Sequence, residues 1–459
     1  MSKLSVCWDS LKARFARLRD NICQATLVKK IRNSKVVAVC HAHPTMVQIA
    51  LILAYRLLFD AIYLAVISKH YAHFGFTNQL HPLRYGVSMM TLLLFAPAVA
   101  WHQQQKQASA SVLTIINYLL FIPLTCFYGC SNLSYGFYLI AVIYWAMLLL
   151  FQAIIPVLTL KPFPSRRVKW LFPILTAGVI ALIVFISGKY TGFRLSFDII
   201  NVYAIRAEAS AYQMPGILSY ALSMMPCTLS VLLLYWLKKK KYILSLLLCA
   251  AFLFLFSIAA HKATFFMLVL VLGCWILFRP WMVKWIGGIL AVGLVGGLLE
   301  HAFLGGTFIA YVLFRRVCLL PIYLSTQYME FFSENPLNLF REGIFGRLSF
   351  EPIYTADIPR VIGEVGGVYQ NANNGLLGDM FANMPPAVGV FIMPLVIIMV
   401  LRLLDMVSTN MDKKVLFPFC VIYGIFFTST SWSAVLLSGG FLLLCLLLYL
   451  FPKEDTVSL

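Results

Sequence analysis

The chain has few charged residues, and acidic residues are the scarcest of them. Only 12% of its 459 residues are Asp, Glu, Lys or Arg, with 17 acidic against 36 basic side chains. Soluble domains contain roughly 25% charged residues, so this composition excludes a soluble globular protein. The net charge of +19 does not indicate nucleic-acid binding, because most of it follows the distribution of basic residues around hydrophobic segments.

The sequence also lacks the spacings of common metal sites. Its 11 cysteines form no Cys-x-x-Cys pair and no Cys/His pattern typical of zinc. His70, His73 and His81 lie close together, but no acidic residue or cysteine lies among them. We therefore predict no metal site. Cys126 and Cys130 are compatible with a disulfide outside the cytoplasm, but two small apolar helix residues are the favoured interpretation.

Long hydrophobic runs, by contrast, are abundant. The chain is 61% hydrophobic with a mean hydropathy of +0.87, and its apolar runs reach the roughly 20 residues that cross a hydrocarbon core. The runs do not alternate as barrel strands do. We predict an all-α polytopic membrane protein with about twelve transmembrane helices. They lie near residues 45–67, 85–101, 109–127, 135–158, 170–188, 216–237, 242–260, 264–279, 285–303, 386–404, 415–433 and 434–451.

Basic residues concentrate in alternate connections, which predicts that both termini are cytoplasmic. Residues 1–44 form a basic cytoplasmic segment, in which nine Lys or Arg accompany only Asp9 and Asp20. Its apolar residues recur at helical spacing, which favours contact with an anionic membrane surface. The sequence therefore predicts five parts of the chain. After the N-terminal segment come spans one to nine (45–303) with an outer loop at 189–215, a large outer loop (304–385), spans ten to twelve (386–451) and a cytoplasmic tail (452–459).

The large outer loop collects most of the polar side chains that could form a site. It contains five arginines, the patch Tyr328–Pro336 and the amide-rich run Asn371–Asp379. Transporters place their sites near the membrane midplane on broken helices. Polar groups gathered in an outer loop instead favour an enzyme that acts on a polar, anionic substrate at the outer face.

Four basic residues are candidates for binding phosphate groups. Arg315 and Arg316 form a tandem pair followed by a predicted helix, and arginine offers a planar fork of donors that suits pyrophosphate. Snorkelling to lipid phosphates is the alternative. Lys262, beside His261, marks either a phosphate contact or the end of a span, and Arg194 lies in the loop 189–215.

Two carboxylates in the loop are candidate proton acceptors. Glu330 lies in the sequence Tyr-Met-Glu-Phe-Phe, an aromatic setting that predicts a raised pKa. Asp379 closes the amide-rich run. A structural role is the more common fate of such residues, and both interpretations stay open. Arg56 and Asp60, four residues apart in the first span, are predicted to form a structural ion pair facing the bundle.

These features, in this order, resemble the Wzy-type oligosaccharide repeat-unit polymerases of bacterial O-antigen and capsule synthesis. The resemblance covers about residues 255–405 and rests on four motifs, whereas the N-terminal half matches only in hydropathy. The motifs are His261-Lys-Ala-Thr264, Arg315-Arg316, Tyr328-Met-Glu-Phe-Phe-Ser-Glu-Asn-Pro336 and Asn371-Ala-Asn-Asn-Gly-Leu-Leu-Gly-Asp-Met-Phe-Ala-Asn383.

The resemblance implies a GT-C-like glycosyltransferase of the bacterial inner membrane, active on the periplasmic side without cofactor, nucleotide sugar or metal. Its donor is a glycan chain on undecaprenyl pyrophosphate, and its acceptor is a single lipid-linked repeat unit. A flippase and a chain-length regulator are implied partners. Many membrane glycosyltransferases with lipid-phosphate donors carry an acidic pair in the first outer loop. Residues 68–86 have none, which disfavours a metal-assisted mechanism.

The resemblance also implies roles for the candidate residues. Arg315 and Arg316 neutralise the negative charge of the leaving pyrophosphate, and Lys262 and Arg194 assist them. The acceptor hydroxyl gives its proton to Glu330 or Asp379. The glycan is held by Arg347, Arg360, Asn371 and Asn374.

Two other functions remain open at this point. An O-antigen ligase has the same architecture and donor but transfers the glycan to lipid A core. A flippase or another lipid-linked oligosaccharide transporter predicts charges inside the spans and two similar halves. Arg56 and Asp60 are the clear intramembrane charges in the sequence, and the large outer loop has no counterpart in the first half.

Overall fold

The computed structural model describes residues 43–161, 163, 170–195, 212, 214–259, 262–342, 351–366 and 371–452. Within these ranges the chain forms helices and connecting loops, with no β-strand. Nine helices of the described part are long and apolar enough to cross a membrane. The predicted all-α polytopic membrane protein is therefore confirmed.

The first eight helices follow the hydrophobic runs closely. They are α1 (Pro44–His70), α2 (Pro82–Gln103), α3 (Ala108–Cys130), α4 (Tyr135–Ile154), α5 (Leu171–Thr191), α6 (Gly216–Lys238), α7 (Tyr242–Ala259) and α8 (Lys262–Leu277).

The second half of the chain contains both long and short helices. They are α9 (Ile286–Leu304), α10 (residues 310–334), α11 (Ile358–Val365), α12 (Leu376–Asn383), α13 (Pro386–Ser408), α14 (Lys413–Ser429), α15 (Trp432–Leu436) and α16 (Phe441–Leu450). The last two together make up one of the nine apolar spans.

All twelve predicted spans coincide with helices of the structure. Three of them, α7, α8 and α14, have 18, 16 and 17 residues and are not among the nine long apolar helices. A crossing by these three stays a prediction. The span predicted to end at residue 433 ends earlier, at Ser429, because the extended residues Thr430 and Ser431 separate α14 from α15.

Helix α3 forms the centre of the bundle, and it is apolar on all sides, as a fully surrounded helix has to be. In the most hydrophobic stretch of 18 residues in α3, 94% of the stretch is buried inside the protein. A π-helical turn at Asn117–Phe121 interrupts it, and the carbonyl of Tyr118 there accepts a hydrogen bond from the Tyr55 hydroxyl at 2.8 Å. The Asn117 side chain accepts another from the indole of Trp145 at 2.7 Å. The turn thus ties α3 to α1 and α4.

The predicted ion pair between Arg56 and Asp60 is confirmed, and it faces the interior. Arg56 also donates to Thr125 Oγ1 at 2.9 Å and to Ser88 Oγ at 3.1 Å. A buried charge is stable only when it is paired and its remaining donors are satisfied. The three helices α1, α2 and α3 meet around this arginine.

A second buried ion pair was not predicted. Arg402, near the end of the predicted span 386–404, lies inside α13 and contacts Asp405 Oδ2 at 2.8 Å. Asp405 accepts from the backbone and the hydroxyl of Ser109, at 2.9 and 2.5 Å. An anion is stabilised at the positive end of a helix, so this pair secures the start of α3 against α13.

Residues 304–385, predicted to form one large outer loop, contain three helices, and their position outside the membrane stays a prediction. Helix α10 packs against α1, α3 and α9. The physical reason is an apolar stripe, in which Phe314, Cys318 and Ile322 recur at helical spacing and are buried. The narrower prediction of a helix following the arginine pair is confirmed.

Candidate functional site

A polar cavity of about 170 Å³ lies where α10, α11, α12 and the connection before α15 meet. Nine of its thirteen lining residues carry an amide, hydroxyl or carboxyl group, and seven of these nine belong to the segment between α9 and α13. The lining residues are Tyr328, Asn338, Glu342, Ile358, Pro359, Asn373, Asn374, Asp379, Ala382, Asn383, Thr430, Ser431 and Ala434.

Asp379 is the buried carboxylate of this cavity. It lies in the first turn of α12, and its two oxygens accept hydrogen bonds from Asn383 Nδ2 at 2.9 Å and from the backbone N–H of Trp432 at 2.8 Å. Burial raises the pKa of Asp379 to about 6, although both hydrogen bonds favour the charged form. The side chain is therefore fixed in position and more basic than a surface aspartate.

Glu342 is the second carboxyl group that lines the cavity. It follows a tight turn in which Leu339 and Phe340 have positive φ angles of 53° and 59°. Glu342 Oε1 accepts from the backbone N–H of Ile358 at 2.6 Å. Burial, followed by the charges of Asp357 and Asp379, raises its pKa to about 7. Near neutral pH, the protonated and the charged forms of the Glu342 carboxyl group are therefore both populated.

Asn383 connects the two carboxyl-bearing segments. Its Oδ1 accepts from the backbone N–H of Phe340 at 2.7 Å and from Asn338 Nδ2 at 3.2 Å, while its Nδ2 donates to Asp379. The backbone of Asn338 in turn donates to the carbonyl of Ala382 at 2.8 Å. The turn that carries Glu342 is thereby joined to α12, which carries Asp379.

The opposite wall is fixed by hydrogen bonds between α10 and the chain before α12. Tyr328 donates its hydroxyl to the carbonyl of Ala372 at 2.9 Å, and Asn374 Nδ2 donates to Ser325 Oγ at 2.9 Å. Asn373 also lines the cavity and is exposed. Amides and carboxylates fixed in this way can bind a ligand rich in hydroxyl groups.

The structure brings two of the candidate residues, Asp379 and Asn374, to the cavity. Glu330 does not reach it: the residue lies on the exposed face of α10, while its aromatic neighbours Tyr328 and Phe332 are buried on the other face. The aromatic enclosure expected around Glu330 is therefore absent. Neighbouring residues on a helix point in different directions, which the linear motif conceals.

The candidate glycan-binding residues are dispersed. Asn371 is exposed just before the cavity wall. Arg360 is exposed on α11 and pairs with Glu364 at 3.0 Å, one helical turn away. Arg347 lies outside the described residues. The cavity has no lysine or arginine among its described lining residues.

Arg315 lies among aromatic rings and not in the cavity. Its guanidinium carbon is between 4.3 and 5.5 Å from the ring centres of Tyr71, Phe74, Phe76 and Tyr311. The residue is buried, and Arg316 beside it is exposed. From Arg315 to Tyr328, the rise of a helix corresponds to about 20 Å. The arginine pair and the carboxyl groups therefore occupy two separate places along α10.

The other two basic candidates are also away from the cavity lining. Lys262 is the first residue of α8 and is half-buried, whereas its neighbour His261 lies outside the described residues. Arg194 is exposed beyond the end of α5. The four basic residues that the sequence grouped by charge are not brought together in one described cavity.

A second cavity, also of about 170 Å³, lies at the C-terminal end of α4, beside Arg402. Arg402 donates to the carbonyls of Gln152 and Ile155 at 2.6 and 2.8 Å, in addition to its bond with Asp405. These bonds hold the ends of α4 and α13 together. The polar groups here serve helix packing, so the cavity between α10 and α12 is the better candidate site.

Sequence reasoning missed Glu342 and the role of Asn383. The spacing of Asp379 and Asn383 carried a usable signal, since residues four apart on a helix can hydrogen-bond. No comparable signal marked Glu342, because its partners Ile358 and Asp379 come from other segments.

Comparison of the chain with protein-family models, with curated proteins and with solved structures found no match.

Proposed function

We propose that the protein is a membrane glycosyltransferase that polymerises lipid-linked oligosaccharide repeat units at the outer face of the cytoplasmic membrane. The single observation that carries this proposal is the cavity between α10 and α12. Two carboxyl groups with raised pKa values line it beside fixed amides. A general base works best when its pKa lies near the working pH.

In the proposed reaction, Asp379 accepts the proton of an acceptor sugar hydroxyl. The hydroxyl oxygen forms a bond to the anomeric carbon of the donor glycan, and the bond from that carbon to the lipid pyrophosphate breaks. The electron pair leaves with the pyrophosphate. Glu342, protonated in part at neutral pH, donates a hydrogen bond to a sugar oxygen. Thus one carboxyl group takes the proton while the other positions the substrate.

The distance between the arginine pair and the carboxyl groups suits the shape of the acceptor. A lipid-linked repeat unit carries its pyrophosphate at one end and the attacking hydroxyl at the other, several sugar rings away. We assign the acceptor pyrophosphate to Arg316, which is exposed on α10, and the attacking hydroxyl to Asp379. Arg315, held among aromatic rings, fixes this part of α10.

The donor pyrophosphate requires positive charge closer to the cavity. Arg341 directly precedes Glu342 and is half-buried, which places its backbone at the cavity wall. Arginine neutralises a developing pyrophosphate charge through paired hydrogen bonds. We therefore add Arg341 to the residues proposed to act on the donor.

The proposal includes twelve crossings, a GT-C-like architecture and cytoplasmic termini. Helices α7, α8 and α14 are short, yet 16 to 18 residues are close to the lower limit of about 17 for a membrane span. An even number of crossings places both ends on the same side, in agreement with the basic N-terminal segment.

The proposal is tested by glycan profiles of a deletion strain that carries single variants. Asp379→Asn should change a ladder of polymer lengths into single repeat units, since loss of a general base typically lowers a rate about 10²–10⁴-fold. Glu330→Gln is the matched control, because this carboxylate is exposed on α10. An unchanged ladder with Asp379→Asn, at equal protein in the membrane, would refute the assignment of the base.

Arg316→Ala tests the placement of the acceptor. The change should raise KM for the lipid-linked acceptor and leave kcat nearly unchanged, because the interaction is present before and during the reaction. An equal KM in both proteins would exclude the assignment of the acceptor pyrophosphate to Arg316.

Long chains stranded on the carrier lipid in the deletion strain would instead identify a ligase.

Intramembrane charges weigh against the transporter alternative. The two buried pairs, Arg56–Asp60 and Arg402–Asp405, have hydrogen-bond partners on neighbouring helices. Intramembrane charges that serve transport mark the pathway of an ion or substrate. The bonding of both pairs supports a structural role, which leaves glycosyl transfer as the proposed function.

A further inference from the structure

Two thiols and a carboxylate converge where α1 and α3 meet. Cys126 and Cys130 lie one helical turn apart on the same face of α3, and Asp60 faces them from α1. Their sulfur and oxygen atoms all lie within 4.8 Å of one another, and all three residues are buried. Cys130 Sγ is 4.0 Å from Asp60 Oδ1.

The carboxylate in this cluster is already oriented by its neighbours. Tyr85 donates its hydroxyl to Asp60 Oδ2 at 2.9 Å, and Arg56 pairs with Asp60 Oδ1. Such outer contacts orient the ligands in metal sites. Both thiols are free in the structure, and together with the carboxylate they offer three potential ligand atoms.

We propose that Asp60, Cys126 and Cys130 bind a thiophilic divalent cation, of which zinc is the biological example. Two thiolates select soft or borderline ions over magnesium and calcium, which prefer oxygen. The carboxylate supplies a third ligand, and a tetrahedral ion retains one position for water.

Binding leaves the charge of the buried cluster unchanged. Before binding, Arg56 and Asp60 cancel and the two thiols are neutral. As the ion enters, both S–H bonds break, two protons pass to water, and two metal–sulfur bonds and one metal–oxygen bond form. The two charges of the ion replace those of the two protons. A buried site that stays neutral avoids the large cost of an uncompensated charge.

The cluster lies near the end of α3, close to the connection that follows it. Cys130 is the last residue of α3, and Asn132 in the following connection is exposed. The sequence predicts no metal site because the carboxylate belongs to a different helix, far from the two cysteines. An ion held here would crosslink α1 to α3 independently of the proposed cavity.

The proposal is tested with the purified full-length chain in detergent. Cys7, Cys23 and Cys40 are first replaced by serine, so that these thiols do not bind metal. After treatment with a chelator, zinc is added and the metal retained through gel filtration is measured by mass spectrometry. About one zinc ion per chain is expected, and Cys126→Ser or Cys130→Ser should reduce it to background.

Cys318→Ser and Cys445→Ser are the matched controls, because both are buried free thiols on other helices. Each should retain the zinc of the parent chain. Equal loss of zinc in a control and in Cys126→Ser would overturn the proposal.

Cobalt provides a second measurement that does not need a change at Cys126 or Cys130. Addition of Co²⁺ to the chain in which Cys7, Cys23 and Cys40 are replaced by serine should produce the charge-transfer absorption of thiolate–cobalt bonds, and zinc should then displace it. Absence of this absorption would overturn the proposal even if Cys126→Ser fails to fold. So would a disulfide between Cys126 and Cys130 in protein isolated without reductant.

Discussion

Gly375, at the start of α12, is the residue whose substitution should affect both the stability of the fold and the position of Asp379. A Cβ atom there would overlap the carbonyl oxygen of Phe427 and lie 2.8 Å from that of Thr430, whereas ordinary contact begins near 3.4 Å. Both obstacles are backbone atoms at the end of α14, so no side-chain rotation relieves them. In Gly375→Ala, α12 must therefore move away from α14 by about 1 Å.

This movement has two expected consequences. Overpacking that shifts the backbone costs about 1–3 kcal/mol of folding free energy. Asp379 lies one turn into α12 and depends on the Trp432 N–H for its orientation. A catalytic group displaced by about 1 Å can lose on the order of 100-fold in rate. We expect Gly375→Ala to unfold at a lower temperature and to retain about 1% of the transfer rate.

Thermal unfolding in detergent and transfer to a lipid-linked acceptor measure the two effects separately. Gly178→Ala in α5 is the control, because nothing lies within 4 Å of its added methyl group. Unfolding of Gly375→Ala at the parent temperature would refute the seating of α12 on α14. A lower unfolding temperature with an intact rate would refute the need for an accurately placed Asp379.

The remaining predictions concern charged groups. Asp405→Asn leaves the buried Arg402 without its carboxylate and should cost about 3–5 kcal/mol in thermal unfolding, whereas Arg360→Gln, in an exposed pair, should cost at most about 1 kcal/mol. The transfer rate should fall as the pH decreases through about 6, the pKa of Asp379, and Glu342→Gln should keep this limb of the pH–rate profile. Because burial raises that pKa from 3.8 to about 6, the stability that Asp379 contributes is present below pH 3.8 and is lost as the pH rises through about 6, a change of about 3 kcal/mol. The difference in unfolding temperature between the parent chain and Asp379→Asn should show this dependence, and a difference that does not vary with pH would contradict it.

Features set by local periodicity were predictable from the sequence. Hydrophobic runs of span length became helices, because a membrane leaves the backbone few other ways to satisfy its hydrogen bonds. The pairing of Arg56 with Asp60 follows from a spacing of four residues on one helix. The Arg402–Asp405 pair likewise joins two residues of one helix, here three positions apart. It escaped prediction because the predicted span ends at residue 404, between Arg402 and Asp405, whereas α13 continues to Ser408.

Features set by contacts between distant segments were not predictable in this way. Glu342 gains its raised pKa from burial against α11 and from nearby Asp357 and Asp379, which only the folded chain brings together. The sequence predicts a loop at residues 304–385 because charged and amide residues are frequent there, and the apolar residues of the α10 stripe lie among them. Some of these polar residues, among them Glu342, Asn374 and Asp379, line the cavity once the helices pack.

The arginine pair shows how a linear motif can combine residues with different roles. Consecutive residues on a helix point in different directions, and here Arg315 is buried while Arg316 is exposed. Arg315 points to the aromatic rings contributed by the connection after α1, and Arg316 remains exposed. A guanidinium surrounded by rings would have to leave them in order to bind a pyrophosphate, whereas an exposed one would not. Of the two arginines, Arg316 is therefore the one that fits the proposed contact with a pyrophosphate, and this assignment stays a prediction.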